Sequence, residues 1–311
     1  MPKFFWKPDK KGTPIMTLSR RALLAGLAAT PLLPSLAAAR DTSRLVSVGG
    51  SVTETVYFLS QDSRLIGADT TSLYPAAAFD LPKVGYMRNL SVEGVLSLDP
   101  SLMLAVEGSG PPNALDSLRA AGLDLVMVPE ARDIDGVVRK IELVADVLGV
   151  PDKGDTLIRD VEIRAKTVSD AVSGLTKTPR VLFLLDFREG SLMAAGRGTA
   201  AEAIIALAGG QLVFDEFYGY KPISTESALG ADCDVILMMD QTVERLGGPT
   251  AVLELGPLQP LRAAQEGRLI SMDGLLMLGF GPRTPDAMVE LAGRLHGPDA
   301  LSVDLPALTP A

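Results

Sequence analysis

The feature that most constrains the fold is an internal repeat that aligns without a gap. Residues 90–104 (LSVEGVLSLDPSLML) and residues 223–237 (ISTESALGADCDVIL) match at a spacing of 133 positions. In each copy a serine precedes a short helical run with a glutamate in its first turn, and an aspartate precedes an apolar strand. A chain of 311 residues is long enough for two moderate cores. The repeat therefore predicts two related structural units.

Short apolar runs alternate with helical runs around both copies of the repeat. Residues 44–50 predict a strand that ends in two glycines, and residues 51–59 predict a helix capped by Ser51, with Glu54 at the capping-box position. A strand, a glycine-rich turn and a helix are predicted again within residues 180–207. Strands that alternate with helices are typical of parallel α/β structure, so we predict two Rossmann-like lobes.

A long amphipathic stretch separates the two copies. Between residues 154 and 177, apolar residues recur at helical spacing, and a proline precedes and follows the stretch. A single helix of this length would join the lobes on one side and leave a cleft on the other, with only small closure. The predicted organisation is an N-terminal lobe at 40–150, a connecting helix at 151–178 and a C-terminal lobe at 179–311.

Residues 1–39 have the pattern of an export signal. Two adjacent arginines, Arg20 and Arg21, precede an apolar stretch that ends in small residues, which fits cleavage after Ala39 and a mature chain that begins near Arg40. The arginine pair favours a twin-arginine signal, although ordinary secretory signals also contain two arginines. Two prolines interrupt the stretch, which argues against a membrane anchor. We expect a soluble protein in the periplasm of a bacterium with two membranes.

The composition excludes several kinds of site. Because 29 basic residues stand against 38 acidic ones, the net charge is −9, which is unsuited to a nucleic-acid groove. One cysteine and one histidine exclude zinc ribbons, disulfide frameworks and multi-histidine metal sites. A periplasmic hydrolase that uses Ser72 or Ser191 is a weaker alternative to a binding protein, since no base or nucleophile-elbow motif accompanies either serine.

Tyrosines lie just before both repeated helices. Tyr86 and Arg88 precede the first helix, and Tyr218 and Tyr220 precede the second. A phenolate oxygen suits ferric iron, and tyrosine ligates haem iron in some proteins. Arg88 could stabilise such a phenolate or bind a carboxylate through two hydrogen bonds. From spacing alone, a half-buried loop tyrosine beside a solvated arginine is the simpler interpretation.

Two glutamates, Glu93 and Glu226, occupy the same position in the two copies. Taken singly, either one is explained as well by helix capping, because a carboxylate in the first turn of a helix stabilises it by about 0.3 to 1 kcal/mol. Their equivalence suggests a further role. Related lobes would place both carboxylates on one rim, where a single partner could contact both.

Motifs spread over almost all of the mature chain carry a family resemblance. They include SVGGSVTE at 47–54, GADTTSLYP at 67–75, LPKVGYMR at 81–88, LSVEGVLSL at 90–98, AAGRGT at 194–199, GYKP at 219–222 and LGFGPRT at 278–284. In these motifs the chain resembles the periplasmic haem-binding proteins of bacterial haem ABC importers. The resemblance implies the class III periplasmic binding protein fold, with two α/β lobes joined by one long helix. It also implies haem b as a transported ligand and no enzymatic activity.

The resemblance implies roles for particular residues. The tyrosine of the VGYMR motif is the axial ligand of haem iron in this family, which places that role on Tyr86 with support from Arg88. Family members carry carboxylates on both lobes that dock to arginines of the inner-membrane permease, which works with its ATPase. These docking roles fall on Glu93 and Glu226.

One departure from the family pattern bears on the number of ligands at the iron. Some members supply a histidine from the loop after the strand that begins the C-terminal lobe, and residues 182–190 contain none. We therefore expect five-coordinate iron on Tyr86 in a monomeric protein, and we expect His296 to be a surface residue. Tyr218 or Tyr220 could pack against the other haem face, and Arg197 could meet a propionate. A carrier of ferric siderophores or corrinoids with the same architecture is the alternative binding function.

Overall fold

The computed structural model of the chain describes residues 40–188, 190–297, 300–301, 303 and 305–310. The predicted export signal lies outside these residues. Among the helices of the described ranges, none combines the length and the apolar character that a membrane crossing requires.

A four-stranded parallel sheet forms the first half of the described chain. Its strand order is β2-β1-β5-β6, and the central strands β1 and β5 are fully buried. A two-stranded antiparallel hairpin, β3-β4, lies beside it. The strands are β1 Leu45–Val48, β2 Leu65–Ala68, β3 Gly85–Tyr86, β4 Asn89–Leu90, β5 Leu102–Val106 and β6 Asp124–Val128. The helices are α1 Gly50–Phe58, α2 Val92–Leu96, α3 Pro112–Ala120 and α4 Ile134–Leu148.

The start of α1 differs from the prediction. The helix begins at Gly50, one residue before the predicted start. Gly49, with φ of 99°, occupies the N-cap position and has no side chain to form a cap. The predicted capping box of Ser51 and Glu54 is wrong. Both residues belong to the helix itself, their side chains are buried, and both side chains bond to residues far away in the sequence.

Helix α5, Pro151–Ser173, connects the two halves. It begins at the first residue of the predicted helix 151–178 and ends five residues before the predicted end, with Gly174 at its C-cap. Its 23 residues correspond to a length of about 35 Å. The helix packs against α4 on one side and against the final helix, α12 Thr284–His296, on the other. A buried ion pair between Arg164 and Asp286, 2.6 Å long, fixes the second contact.

The second half contains a mixed sheet of six strands. Its order is β10-β8-β7-β11-β12, and β9 pairs with β7. The strands are β7 Arg180–Arg188, β8 Ser191–Ala195, β9 Gln211–Leu212, β10 Tyr220–Ile223, β11 Val235–Met239 and β12 Leu269–Met272. The helices before α12 are α6 Ala200–Leu207, α7 Thr225–Gly230, α8 Asp240–Arg245, α9 Pro249–Leu253, α10 Arg262–Gln265 and α11 Gly274–Leu278.

The α/β class and two-sheet architecture are confirmed, but the second sheet is not purely parallel. Strand β8 runs antiparallel to β7, and β10 runs antiparallel to β8. Only two residues separate β7 from β8. Such a short connection reverses the chain, whereas a parallel neighbour would need a crossover of a dozen residues or more.

The internal repeat is present in the three-dimensional structure. Ser91 caps α2 by accepting a hydrogen bond from the Gly94 backbone at 2.9 Å, and Ser224 caps α7 through Ser227 at 3.0 Å. The aspartates that follow these helices, Asp99 and Asp232, both adopt positive φ, at 48° and 43°. The next strand is central in each case, since β5 lies between β1 and β6, and β11 lies between β7 and β12. The two halves thus share one plan around their central strands.

Candidate functional site

A cavity of about 650 Å³ is lined by residues from both halves of the described chain. This volume falls in the range of sites for small organic ligands. The wall is formed by the starts of α1 and α6, the β3-β4 hairpin, β10 and the α11 segment. Its polar and aromatic side chains include Tyr86, Arg88, Glu130, Arg132, Lys140, Tyr220 and Gln241.

Tyr86 and Arg88 belong to one tight hairpin in this wall. Tyr86 pairs with Asn89 across the β3-β4 ladder, so Met87 and Arg88 form the two-residue turn. Tyr86 is 44% exposed. Within the described part of the chain, neither the Tyr86 hydroxyl nor the Arg88 guanidinium makes a hydrogen bond or an ion pair. Both groups are therefore available to a ligand in the cavity.

The backbone holds this hairpin at defined points. The Gly85 carbonyl accepts a hydrogen bond from the Thr70 amide at 2.9 Å, and the Met87 carbonyl accepts one from Gly110 at 2.9 Å. Gly85 itself has φ of 103°, and a Cβ there would lie 2.8 Å from the Asn89 carbonyl oxygen. Only glycine fits this position without distortion. The glycine before the tyrosine is thus part of how the tyrosine is positioned.

Tyr220 reaches the same cavity from the second half. It lies on β10, opposite Ala195 of β8, and its ring packs 6.3 Å from the ring of Phe183. Burial raises the pKa of the Tyr220 phenol, and a hydrogen bond to the Ala201 backbone and the positive charges of Arg88 and Arg132 offset part of that rise. Arg88 and Arg132, two cations of the first half, therefore lie close enough to Tyr220 to favour its ionised form.

Tyr218 and Arg197 are not in the cavity wall. The Arg197 guanidinium lies 4.5 Å from the centre of the Tyr218 ring, a cation–π contact, and Tyr218 is 67% exposed. Their neighbours Gly198 and Gly219 do line the cavity. The structure thus brings Tyr86, Arg88 and Tyr220 together and places the Tyr218–Arg197 pair beside the cavity.

Lys140 is a cavity residue that the sequence did not single out. It projects from α4 and is only 1% exposed. Its ammonium donates to the Ser51 hydroxyl and the Phe280 carbonyl, both at 2.8 Å, and to the Gly279 carbonyl at 3.3 Å. Burial lowers the pKa of Lys140 to about 8. A lysine on the apolar face of an amphipathic helix was the one available signal.

A second buried connection lies near Lys140. Glu54 of α1 is 2% exposed and accepts hydrogen bonds from the Arg283 guanidinium at 2.9 Å and the Arg283 amide at 3.2 Å. The same guanidinium lies 3.5 Å from the centre of the Tyr74 ring. Burial raises the pKa of Glu54, and Arg283 partly offsets this effect. Glu54 and Lys140 therefore tie the first half of the chain to the segment between α11 and α12.

A buried aspartate organises the opposite part of the wall. Asp69 accepts four hydrogen bonds, from the Gly49 amide, the Thr71 amide and hydroxyl, and the Ser72 hydroxyl, at 2.6 to 2.9 Å. Gly49 and Thr71 line the cavity. Ser72, the serine considered as a hydrolase nucleophile, also bonds to Thr53 at 2.7 Å and is fully buried. Its hydroxyl serves this network.

Glu93 and Glu226 lie outside the cavity wall on exposed helix turns. Across the described residues, neither carboxylate has an ion-pair partner. His296, the last residue of α12, is partly buried, and its Nε2 atom lies 3.1 Å from the Ala208 carbonyl oxygen. His296 does not line the cavity.

Two lobes with a shared cavity, joined by a long helix, define a substrate-binding protein of the periplasmic type. The family described as periplasmic binding protein matches residues 45–275, and the chain belongs to this family.

Solved structures of haem-binding proteins resemble the chain over most of its length. One is the periplasmic heme-binding protein BhuT in complex with two hemes, which is 39% identical, with a TM-score of 0.78 over 83% of this chain and 99% of that one. Another is the periplasmic heme-binding protein RhuT from Roseiflexus sp. RS-1 in apo form, at 35% identity and a TM-score of 0.79, with the same coverage. The resemblance predicted from the motifs is confirmed.

Curated relatives are more distant. An uncharacterized ABC transporter substrate-binding lipoprotein, YvrC, of Bacillus subtilis is 24% identical over 83% of this chain and 81% of its own length. A vitamin B12-binding protein of Yersinia pestis is 26% identical over 68% of this chain and 75% of its own length.

Proposed function

We propose that the protein binds haem in the cavity between its lobes and delivers it to an inner-membrane ABC permease. The observation that carries this proposal is the hairpin that presents Tyr86 and Arg88, free of other partners within the described chain, in a cavity shared with Tyr220. A phenol oxygen is a suitable ligand for ferric haem iron, and an adjacent arginine stabilises its anionic form. The similarity to solved haem-binding proteins at 35–39% identity supports the same ligand class.

Each cavity residue has a proposed role. Tyr86 is the axial ligand of the haem iron, and Arg88 supports the phenolate. Tyr220 packs against the porphyrin from the opposite lobe, and Arg132, next to Glu130 at 2.9 Å, is available to a propionate at the cavity edge. Arg197 and Tyr218 lie outside the wall and would contact only a protruding edge of the ligand.

We propose one haem and a five-coordinate iron. The described cavity wall contains no histidine that could supply a second axial ligand. Because the similar protein BhuT was solved in complex with two hemes, the number of haems bound by this chain is to be measured. Haem is the transported cargo, and the protein performs no chemistry on it.

Delivery needs docking to the permease. We propose that Glu93 and Glu226 pair with basic residues of the permease, since both carboxylates are exposed at equivalent positions. The permease would work together with an ATPase. Export through the predicted signal at 1–39, of the twin-arginine type, would bring the protein to the periplasm as a monomer.

Competitive binding tests the ligand class. The purified mature chain is titrated separately with hemin, iron-free protoporphyrin IX, cyanocobalamin and a ferric siderophore. Binding is followed by absorption spectroscopy and by isothermal titration calorimetry. We expect saturable hemin binding near one equivalent, weaker protoporphyrin binding because the iron–phenolate bond is lost, and no binding of the other two. Saturation at two equivalents would overturn the single-haem proposal. Preference for cyanocobalamin would favour the function of the vitamin B12-binding relative instead.

A further inference from the structure

Two exposed leucines stand out on the surface of the described chain. Leu96 in α2 is 39% exposed and Leu229 in α7 is 43% exposed, whereas most large apolar side chains are buried. The two leucines are 133 residues apart, which is the spacing of the internal repeat. The same apolar side chain is therefore exposed at the same position of both lobes.

Each leucine lies beside a docking glutamate. Leu96 follows Glu93 by three residues within α2, and Leu229 follows Glu226 by three residues within α7. Residues three apart on a helix share a face, so each helix presents a carboxylate and a leucine together. A serine cap holds the first turn of each helix, and one buried side chain, Val95 or Ala228, anchors the helix to its lobe. The exposed face is thus held on a rigid support.

The chemistry of these faces identifies the partner. An exposed carboxylate contributes mainly to orientation and to the rate of association, whereas affinity comes from apolar side chains that become buried in pockets. Two copies of one face on a single chain fit a partner that itself has two equivalent surfaces. The required surface is a basic side chain beside an apolar pocket.

We propose that Leu96 and Leu229 are the apolar contacts by which the protein docks onto two equivalent subunits of its membrane permease. This inference rests on the proposed transport function and adds the residues that supply affinity. Each leucine enters an apolar pocket of one permease subunit while the neighbouring glutamate pairs with a cation at the pocket edge.

A ligand-independent test is photo-crosslinking in the bacterium that makes the protein. The photoreactive residue p-benzoylphenylalanine is placed at position 96, at position 229 or at position 163 as a matched control. Ile163 is 66% exposed on α5 and lies on neither docking face. We expect crosslinks from positions 96 and 229 to the same permease polypeptide, and none from position 163. Crosslinks to a second copy of this chain, or none from either leucine position, would overturn the proposal.

Transport provides the second measurement. A strain without its own copy is complemented with Leu96→Ser, Leu229→Ser, the double variant or Ile163→Ser, and hemin uptake is followed beside hemin titration of each purified protein. We expect wild-type binding in all variants, uptake reduced several-fold by each leucine change and more than tenfold by both, and normal uptake with Ile163→Ser. Normal uptake by the double variant would overturn the docking role. Wild-type protein that neither binds hemin nor restores its uptake would instead refute the proposed function, while the crosslinking result would still decide the docking role.

Discussion

Replacing Arg283 with methionine should cost more stability than any single surface charge change in this protein. Arg283 donates to Glu54 at 2.9 Å, and the carboxyl side chain is only 3% exposed. Removing one partner of a buried ion pair leaves the other charge without compensation, which costs about 3 to 5 kcal/mol. The Arg283 amide still donates to Glu54 at 3.2 Å after the change, so we expect a value near the lower end, about 3 kcal/mol.

The pH dependence of this loss identifies its cause. Burial already raises the pKa of Glu54 above its ordinary value of 4.5, and loss of Arg283 removes the main compensating charge and raises that pKa further. A raised carboxyl pKa means that the cost is fully present above the folded-state pKa and disappears below the unfolded-state value. The stability difference between wild type and Arg283→Met should therefore shrink as the pH falls from 7 towards 4.5.

Urea denaturation at pH 7 and pH 4.5 measures both effects. Arg119→Met is the matched control, because Arg119 pairs with Asp116 at 3.3 Å on the surface, where such pairs contribute about 0 to 1 kcal/mol. If Arg283→Met loses no more stability than Arg119→Met, the buried pair does not hold the two halves together. A loss of equal size at both pH values would show that Glu54 is not the group left uncompensated.

Three further changes test other parts of the structure. Gly85→Ala should weaken hemin binding at least tenfold in a titration, because its Cβ would lie 2.8 Å from the Asn89 carbonyl and displace the tyrosine hairpin; unchanged affinity would contradict this positioning role. The folded-state pKa of Lys140, about 8, lies below the ordinary value of 10.5, so the free energy of unfolding rises with pH between these values. In urea denaturation, the stability of wild type relative to Lys140→Met should therefore increase by about 2 kcal/mol from pH 7 to pH 9.5. A constant difference would refute that pKa. The double variant Glu93→Ala/Glu226→Ala should bind hemin normally and fail in hemin uptake, and a loss of hemin binding would place these glutamates in the ligand site.

Local patterns in the sequence were enough to predict the architecture. The apolar spacing across residues 154–177 predicted the connecting helix, because an amphipathic helix of this length has few alternatives. The gapless repeat predicted two related helix–strand units, and the serine caps of α2 and α7 form as expected. The Tyr86 and Arg88 pair lies in the cavity wall, whereas spacing alone favoured a loop tyrosine beside a solvated arginine.

The features that the sequence did not reveal depend on contacts between distant segments. Glu54 and Arg283 are 229 residues apart, and Lys140 and Phe280 are 140 apart, so no local spacing indicates either contact. The helix-start pattern around Glu54 also suggested a capping role, whereas the Gly49 and Gly50 amides donate to the distant side chains of Asp69 and Thr71. The β7-β8 reversal was missed because the polar end of β7, at Asp186 and Arg188, and the Gly190 that follows were interpreted as a loop and not as a hairpin turn.

The central claim is that Tyr86 ligates haem iron, and hemin titration of wild type, Tyr86→Phe and Tyr218→Phe tests it most directly. Tyr218 is the matched control, because this tyrosine lies outside the cavity wall and is 67% exposed. We predict a high-spin ferric spectrum with a phenolate charge-transfer band for wild type and Tyr218→Phe, and loss of that band with weakened binding for Tyr86→Phe. An unchanged spectrum in Tyr86→Phe would contradict the account and move the iron ligand to another residue, with Tyr220 the next to test.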